Sequence, residues 1–408
     1  MSNTLLTIGM ITNEALRVLV NELTFTRNVN RQYDSEFGKA GAKIGDTLNI
    51  RLPVRYVGRR TPTLNVEGTV ESSVPLTLST QYGTDMSFTS AELKLSIDEF
   101  SDRIIKPAVA NISNMIDYDG LQQYKNIYNA VGTPGTTPST LLTYLQAGVK
   151  LDDNATPMGD RRLVLNPLAQ ATIVNALTTI FNPQKTISDQ YLKGSMGTAV
   201  GFDWYMDQNV GVQTVGTYSG TPLTNYPSTP FASGASTLVT DGWTVTTTTL
   251  NVGDIFTIAG VYSVNPQSRI TTGQLQQCVV TAATTTDGSG NSTISFSPAL
   301  VGPNGLTLVY NQNVNALPAN NAAITVLGAS GTVSPQNLAF HKDAFTFATV
   351  DLPEMPGVKN GMARSKELGL SIRLTQGTDM VNDRAITRLD LLGGWATLRA
   401  QTACRICG

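Results

Sequence analysis

Apolar residues recur every three or four positions in three segments, as they do on the buried face of an amphipathic helix. The first segment, "ITNEALRVLVNEL", places Ile11, Ala15, Leu19 and Leu23 on one face. This spacing predicts a short helix.

The longest helix is predicted in "SIDEFSDRIIKPAVANISNMIDYDGLQQYKN". Its apolar stripe consists of Phe100, Ile104, Ala108, Ile112 and Met115 or Ile116. Pro107 lies within this stripe, and proline lacks a backbone N–H and clashes with the preceding turn. We therefore expect the helix to kink or split there.

A strand that leads directly into a helix is predicted in "RRLVLNPLAQATIVNAL". Asn166 is a residue type preferred at the N-cap, and Pro167 suits the first helical position. The helix is therefore expected to begin at Pro167.

Strand-like alternation fills much of the remaining chain. "GDTLNIRLPVRYVGRR" predicts a strand that leads to a basic tip at Arg55, Arg59 and Arg60, and "SSVPLTLSTQYGTDMSFTS" predicts its return. "FHKDAFTFATVDLP", "GLSIRLTQ" and "ITRLDLLGGWATLRAQTACRI" continue the pattern. Together with the helices, these segments predict one α+β domain.

Charged residues are rare in the middle of the chain. Between Gly216 and Ser334 the charged residues are Asp241, Asp254, Arg269 and Asp287. Alternating runs such as "TLNVGDIFTIAGVYSV" and "NSTISFSPAL" predict short antiparallel strands in a barrel or sandwich. The opening run, "GTYSGTPLTNYPSTPFASGAS", also fits a flexible linker. We interpret 216–334 as a β domain inserted into the α+β domain.

Composition narrows the class of protein. At ~150 residues per domain, 408 residues allow two or three domains. The net charge of −2 argues against a dedicated nucleic-acid binder. Three cysteines argue against a disulfide-rich secreted protein. No signal-peptide pattern or membrane-spanning apolar run is present, so a soluble protein of a reducing compartment is expected.

The run "CRIC", with Cys404 and Cys407, has the spacing of redox thiols and of half a zinc site. A zinc site needs four ligands, so Cys278 and His341 would both have to join. In a strand, side chains alternate, which places Cys404 with Ile406 and Arg405 with Cys407. We expect a structural strand without redox or metal function.

Catalytic machinery has few candidates. His341 is the single histidine, has no G-x-S-x-G motif to accompany it, and is expected on the surface of a strand. Asp117 and Asp119 are two apart on a helix, do not face each other, and are expected to be solvated. Asp287 in "DGSGNST" fits a hairpin turn better than a calcium loop. The prediction is a protein without catalysis, cofactor or metal.

Several runs, in order, resemble the major capsid proteins of tailed bacteriophages related to the P22 coat protein. They are "AGAKIGDTLNIRLPVRY", "GFDWYMDQNV", "GDIFTIAGVYSVNPQSRITTGQLQQCVVTA", "LAFHKDAFTFATVDLP", "GLSIRL" and "NDRAITRLDLLGGWATLRAQTACRI". None is a catalytic signature, so the resemblance rests on their order and on the insertion.

The resemblance implies an HK97-type α+β shell fold with an inserted all-β barrel. Its shell domain would comprise 1–215 and 335–408, and the barrel 216–334. Within the first part, the expected regions are an N-terminal arm (1–30), an extended loop (50–85), a spine helix (97–128) and an axial region (130–215).

The implied function is self-assembly into the icosahedral head shell that encloses double-stranded DNA. Expected partners are copies of the chain in hexamers and pentamers, a scaffolding protein, a portal protein and DNA bound without sequence reading. Arg55, Arg59 and Arg60 are expected to contact a neighbouring subunit. The expected location is the virion capsid, assembled in the cytoplasm of the host bacterium, with no membrane partner.

Two alternatives stay open at this point. A cell-surface or S-layer-like adhesion protein would explain the Thr-rich β insert. A carbohydrate-active β-sandwich enzyme would need two opposed carboxylates, whereas the insert has three Asp and no Glu.

Overall fold

The computed structural model describes residues 8–33, 45, 47–56, 58, 61–63, 66, 71–89, 101–177, 197–245, 249–303, 311–365, 369–379 and 384–408. The chain forms two compact units, and each is assembled from separate stretches of sequence. Unit 1 comprises Met1–Ile50, Val74–Leu121 and Phe345–Leu398. Unit 2 comprises Arg51–Ser73, Gln122–Ala344 and Arg399–Gly408.

The described part of the chain contains four α-helices and 22 strands. The helices are α1 (Ile8–Glu22), α2 (Lys106–Leu121), α3 (Leu141–Asp153) and α4 (Pro167–Leu177). The strands are β1 (Thr47–Arg51), β2 (Ser73–Thr77), β3 (Thr80–Thr89), β4 (Ala130–Gly132), β5 (Arg161–Leu165), β6 (Thr198–Ala199), β7 (Phe202–Met206), β8 (Val212–Thr214), β9 (Gly220–Thr224), β10 (Ala235–Trp243), β11 (Thr249–Leu250), β12 (Ile255–Val264), β13 (Thr271–Val280), β14 (Thr284–Thr285), β15 (Ser292–Leu300), β16 (Ile324–Val326), β17 (Val333–His341), β18 (Phe345–Val350), β19 (Lys359–Arg364), β20 (Ser371–Asp379), β21 (Arg384–Thr397) and β22 (Ala403–Cys407).

Unit 1 is organised around the long strand β21. One edge of β21 pairs with β3, and its other edge pairs first with β20 and then with β18, while β19 pairs with β20. Strands β1 and β2 pair with each other, as the predicted strand and its return require. Three aromatic rings, Phe25, Phe347 and Trp395, stack in the core.

Helix α1 confirms the first predicted apolar face. Ile11, Ala15, Leu19 and Leu23 are all buried. The face packs against α2 and β19 within unit 1. The apolar residues at helical spacing therefore predicted both the helix and its buried face correctly.

A π-helical turn, Ser101–Ile105, runs directly into helix α2, so the chain changes helix type just before Pro107 and is not split there. The stripe prediction is partly wrong, because the buried residues in the first part are Ile105 and Val109 rather than Ile104 and Ala108. A π turn holds an extra residue, which moves the register by one position. Residues 97–100 of the predicted spine helix lie outside the described residues.

Gly120 allows the aromatic core to approach α2. A Cβ atom at this position would lie 2.5 Å from the Trp395 ring and 2.8 Å from the Phe25 ring. Glycine lowers helix stability by about 1 kcal/mol relative to alanine, and here the close packing of the two rings requires it.

Unit 2 contains a seven-stranded sheet, called the central sheet, in the order β4-β22-β17-β5-β7-β6, with β8 paired to β17. Helices α3 and α4 cover one face through the buried residues Tyr144, Ala147, Leu151, Ala169 and Ile173. Helix α4 begins at Pro167, and the Asn166 side chain accepts a hydrogen bond from the Ala169 N–H at 3.0 Å. The predicted N-cap is confirmed.

The inserted segment forms a six-stranded antiparallel sheet in the order β16-β12-β13-β15-β10-β9. A bridge joins Leu223 of the outer strand β9 to Ala323, the residue just before the other outer strand β16, so the sheet closes into a barrel. Phe231, Phe256 and Phe296 lie in its buried core. The linker alternative for the start of the insert is wrong, since that run contains β9 and the buried Phe231.

Candidate functional site

Only one residue of the predicted basic tip is described. The Arg55 guanidinium donates a hydrogen bond from Nη2 to Gln401 Oε1 at 2.5 Å, and burial lowers the pKa of Arg55. Arg59 and Arg60 lie outside the described residues. Arg55 is thus half-buried against its own chain instead of standing at a solvated tip.

The "CRIC" run forms β22, which lies between β4 and β17 in the central sheet. Cys404 and Ile406 face the core beneath α3 and α4, while Arg405 and Cys407 line one small cavity on the other side. All three cysteines of the chain are buried and free. Burial raises the pKa of the Cys404 thiol to about 12, so it is poorly suited to thiolate chemistry.

Two predictions about polar residues are wrong. His341 is buried at the end of β17, and its Nδ1 accepts a hydrogen bond from the Asp343 backbone N–H at 3.3 Å. Asp117 is buried in unit 1, because the backbone N–H groups of Thr24 and Thr26 bind its carboxylate at 2.8 and 2.9 Å. These donors replace the water that the carboxylate would otherwise bind.

The predicted turn at Asp287 is confirmed. Its Oδ1 accepts hydrogen bonds from the Ser289 and Asn291 N–H groups, each at 2.8 Å. Within the described part of the chain, no cluster of three or more Cys, His, Asp or Glu residues is placed to hold a metal ion. Among the same residues, no helix is long and apolar enough to cross a membrane.

A buried polar cluster joins the barrel to the central sheet, and we call it the joint. Its centre is Asp254, which is 3% exposed. The carboxylate accepts hydrogen bonds from Gln213 Nε2 at 2.8 Å, from the Gly216 N–H at 2.9 Å and from the Asn251 N–H at 2.8 Å. Asp254 therefore ties its own turn to the chain segment that enters the barrel.

Arg405 supplies the positive charge of the joint and is 1% exposed. Its Nη2 donates to the Gly253 carbonyl at 2.8 Å, and its guanidinium lies 5.6 Å from the centre of the Tyr124 ring. Gly253 has a φ of +97°, a conformation that favours glycine. Burial raises the pKa of Asp254 and lowers that of Arg405, and the attraction between the two charges opposes both shifts.

A second contact between barrel and sheet lies at the edge strand β4. The Gln277 side chain accepts from the Ala130 N–H at 2.9 Å and donates to the Ala130 carbonyl at 2.9 Å. Beside it, Ile255 and Val279 of the barrel form an apolar cluster with Cys407. We call this cluster the apolar seam.

Helix α3 presents aliphatic side chains to solvent on the face opposite the central sheet. Leu142, Leu145 and Val149 are 61%, 44% and 52% exposed. Their spacing of three and four residues places them on one helical stripe. Single exposed aliphatic residues are common, but a continuous stripe marks a surface for association.

A family model described as P22 coat protein, gene protein 5, matches residues 2–405. The chain belongs to the P22 coat protein family. It is the major capsid protein of a bacteriophage, and copies of it form the virion shell. The predicted HK97-type α+β fold with an inserted all-β barrel is confirmed, and the adhesion and carbohydrate-enzyme alternatives are not favoured.

Solved structures similar to this coat protein include one titled Mycobacterium phage Che8, with 9% identity, a TM-score of 0.45, and coverage of 94% of this chain and 90% of that chain. The bacteriophage PhiM1 mature capsid has 11% identity and a TM-score of 0.38, covering 89% and 82%. The CUS-3 coat protein I-domain has 31% identity and a TM-score of 0.19, covering 29% of this chain and 100% of that chain. No curated protein matches the chain.

Proposed function

We propose that this coat protein builds an icosahedral head shell from hexamers and pentamers and that the stripe on α3 lies in the contact between neighbouring copies. The supporting observation is the exposure of Leu142, Leu145 and Val149 on one face of a helix that is otherwise well packed. A second copy that covers this face would remove aliphatic surface from water, which favours association by ~25 cal/mol per Å².

Shell assembly calls for many contacts of modest strength. Copies of one chain that meet through two different surfaces form closed structures when the geometry permits. A standard interface buries ~800 Å² per partner, and a three-residue stripe supplies only part of that area. We propose that the stripe contributes one patch to a larger surface, so that a misplaced subunit can still dissociate.

The remaining partners are part of the same proposal. A scaffolding protein would guide assembly, a portal protein would occupy one vertex, and double-stranded DNA would be enclosed through contacts without sequence reading. The net charge of −2 supports generic rather than specific DNA contact. Assembly in the host bacterial cytoplasm is supported by three free cysteines, which suit a reducing compartment.

We propose a shell domain of 1–215 and 335–408 with the barrel at 216–334, an arm at 1–30 and an extended loop at 50–85. Arg55, Arg59 and Arg60 would contact acidic groups or carbonyls of a neighbouring copy. Arginine has five N–H donors, so Arg55 retains donors for such a contact beyond the one directed at Gln401.

Absence of catalysis is proposed as well. The single histidine is buried, and its Nδ1 accepts from a backbone N–H. Nucleophilic mechanisms that depend on an accessible imidazole base therefore lack their central group.

The test replaces Leu142, Leu145 and Val149 together by Ser in the full-length chain. We expect the unassembled subunit to keep its far-UV circular dichroism and melting temperature, while the yield of sedimenting shells falls sharply. Gln146→Ser, which changes an exposed polar residue on the same helix, is the control and should assemble normally. A normal shell yield from the triple variant would refute the role given to this stripe.

A further inference from the structure

The connection between the barrel and the central sheet is narrow. The chain enters the barrel after β8 and leaves it into β17, and these two strands pair with each other, with Val333 opposite Thr214. The barrel is therefore joined covalently to the sheet through two adjacent strands, which pair with each other. A ladder of this width leaves freedom to rotate unless other contacts oppose it.

The contact at β4 does not define one orientation by itself, because the hydrogen bonds of Gln277 hold the barrel at a single residue, Ala130, and the apolar seam beside it is not directional. Hydrophobic contact is non-directional and depends mainly on the area removed from water. Ile255 and Val279 of the barrel can therefore bury similar area against the sheet over a range of small rotations. Hydrogen bonds are directional and weaken when their geometry changes, and the joint is held by hydrogen bonds of Asp254 and Arg405.

The joint holds two opposite charges where water has little access, and the hydrogen bond from Arg405 to the Gly253 carbonyl places the guanidinium next to the residue that precedes Asp254. Asp254 and Arg405 both line a cavity of about 10 Å³, and such a volume holds at most about one water molecule. The Arg405 Nε atom is buried and has no hydrogen-bond partner in the protein. Each charge depends on the other, because removing one leaves the second uncompensated in a dry environment.

We propose that Asp254 and Arg405 form an orientation lock that fixes the barrel in one position on the central sheet. Apolar residues of similar size would hold the two parts together as strongly, so stability does not explain the buried charges. What the pair adds is a single arrangement in which both charges are satisfied. Asp254 and Arg405 thus position the barrel. This inference rests on the proposed function, because contacts between shell subunits require every barrel to stand at the same angle.

The test measures orientation separately from stability. Spin labels at Gln146→Cys on α3 and Ser228→Cys on the barrel report the distance between them in the unassembled full-length chain, by pulsed electron paramagnetic resonance. The native cysteines are buried and will not take the label. We expect one narrow distance distribution for the parent chain.

The decisive variant is Asp254→Asn with Arg405→Met, which removes both charges and keeps an acceptor for the Gly216 and Asn251 N–H groups. We expect a melting temperature close to that of the parent and a broad distance distribution. A narrow distribution at the parent distance would overturn the lock. If this variant does not fold, Asp254→Asn with Arg405→Gln is measured instead, and the same two outcomes decide.

A matched control is the buried ion pair of unit 1, where Arg373 Nη2 lies 2.8 Å from Asp390 Oδ2. Arg373→Met with Asp390→Asn should change the melting temperature but leave the distance distribution narrow. Broadening in this control as well would show a general loosening and would overturn the specific role of Asp254 and Arg405. The two proposals fail separately: a normal shell yield from the Leu142, Leu145 and Val149 triple variant, with a narrow distance distribution, would count against the proposed function of α3 and not against the lock.

Discussion

Asp117 in unit 1 and Asp254 in unit 2 are both buried carboxylates that bind distant segments, but they do so with different partners. The donors described at Asp117 come from one short turn after α1: the backbone N–H groups of Thr24, Phe25 and Thr26, and the Thr26 hydroxyl. A single turn thus presents several N–H groups to one carboxylate. Hydrogen bonds from this turn anchor the segment after the first helix to α2.

Asp254 binds donors from separate places and also has a cation nearby. Gln213 and Gly216 belong to the entering segment, Asn251 to the turn before β12, and Arg405 to β22. Several elements meet there, and none presents a complete set of donors. The comparison teaches that one turn can present several donors to a carboxylate, whereas a junction of several elements supplies its donors one by one and places a positive charge nearby.

Removing the Asp117 carboxylate should have the largest effect. Asp117→Ala leaves several buried N–H groups without an acceptor, and each such group costs about 1–3 kcal/mol. We expect the melting temperature of the unassembled subunit to fall steeply in thermal unfolding followed by circular dichroism. Asp119→Ala is the control, because it removes only the hydrogen bond from the Tyr82 hydroxyl at 2.9 Å. If both variants lowered the melting temperature equally, the hydrogen bonds described at Asp117 would not be the cause of its effect.

Adding one methyl group to a helix should have opposite effects in the two units. Gly120→Ala places a Cβ atom 2.5 Å from Trp395, and overpacking of this kind costs about 1–3 kcal/mol. Gly148→Ala in α3 meets Phe202 no closer than 3.6 Å, so the helix propensity of alanine should stabilise it by up to about 1 kcal/mol. Urea unfolding measures both, and a neutral Gly120→Ala would contradict the packing described for α2.

A smaller effect is expected from pH. Burial lowers the pKa of His341 below its ordinary value of 6.5, despite the nearby carboxylates of Asp343 and Asp160. As pH falls below 6.5, the unfolded chain takes up a proton that the folded chain does not, so the free energy of unfolding decreases. His341→Gln should give a flatter profile between about pH 6.5 and 5 in urea unfolding, and an unchanged slope would exclude this residue as the cause.

The smallest effect on assembly is expected from the cysteines. Cys404→Ala with Cys407→Ala should cost about 1 kcal/mol per site from lost core contacts, and shells should still form. Zinc content and shell yield are measured on purified particles. Zinc that is bound by the parent particles and lost in the variant would show that "CRIC" is a metal site.

Local signals explain most of what the sequence predicted correctly. Ile11 to Leu23 and the Asn166 cap depend on neighbours within a few residues, and so both appear in the pattern. Asp117 was wrongly expected in water because its donors lie 91 to 93 residues away. The α2 stripe was misplaced by one position because a π turn has no simple sequence signature.

The sequence does contain a signal for the joint. Asp254 is one of four charged residues in 216–334, and Arg405 is the charged residue within the buried strand "ACRIC". An isolated charge within an apolar strand is costly unless it has a partner. That partner lies 151 residues away in sequence for this pair, so the sequence indicates that a partner is needed without identifying it.

The contact between Gln277 and Ala130 has a consequence for how copies of this chain can meet. An open sheet edge is a template on which a foreign strand can grow. At β4 the side-chain amide occupies both the N–H and the carbonyl of Ala130, and so imitates the neighbouring strand that this residue lacks. A concentrated pool of subunits is thereby protected from sheet extension at Ala130, and association there has to proceed through side-chain surfaces instead of backbone pairing.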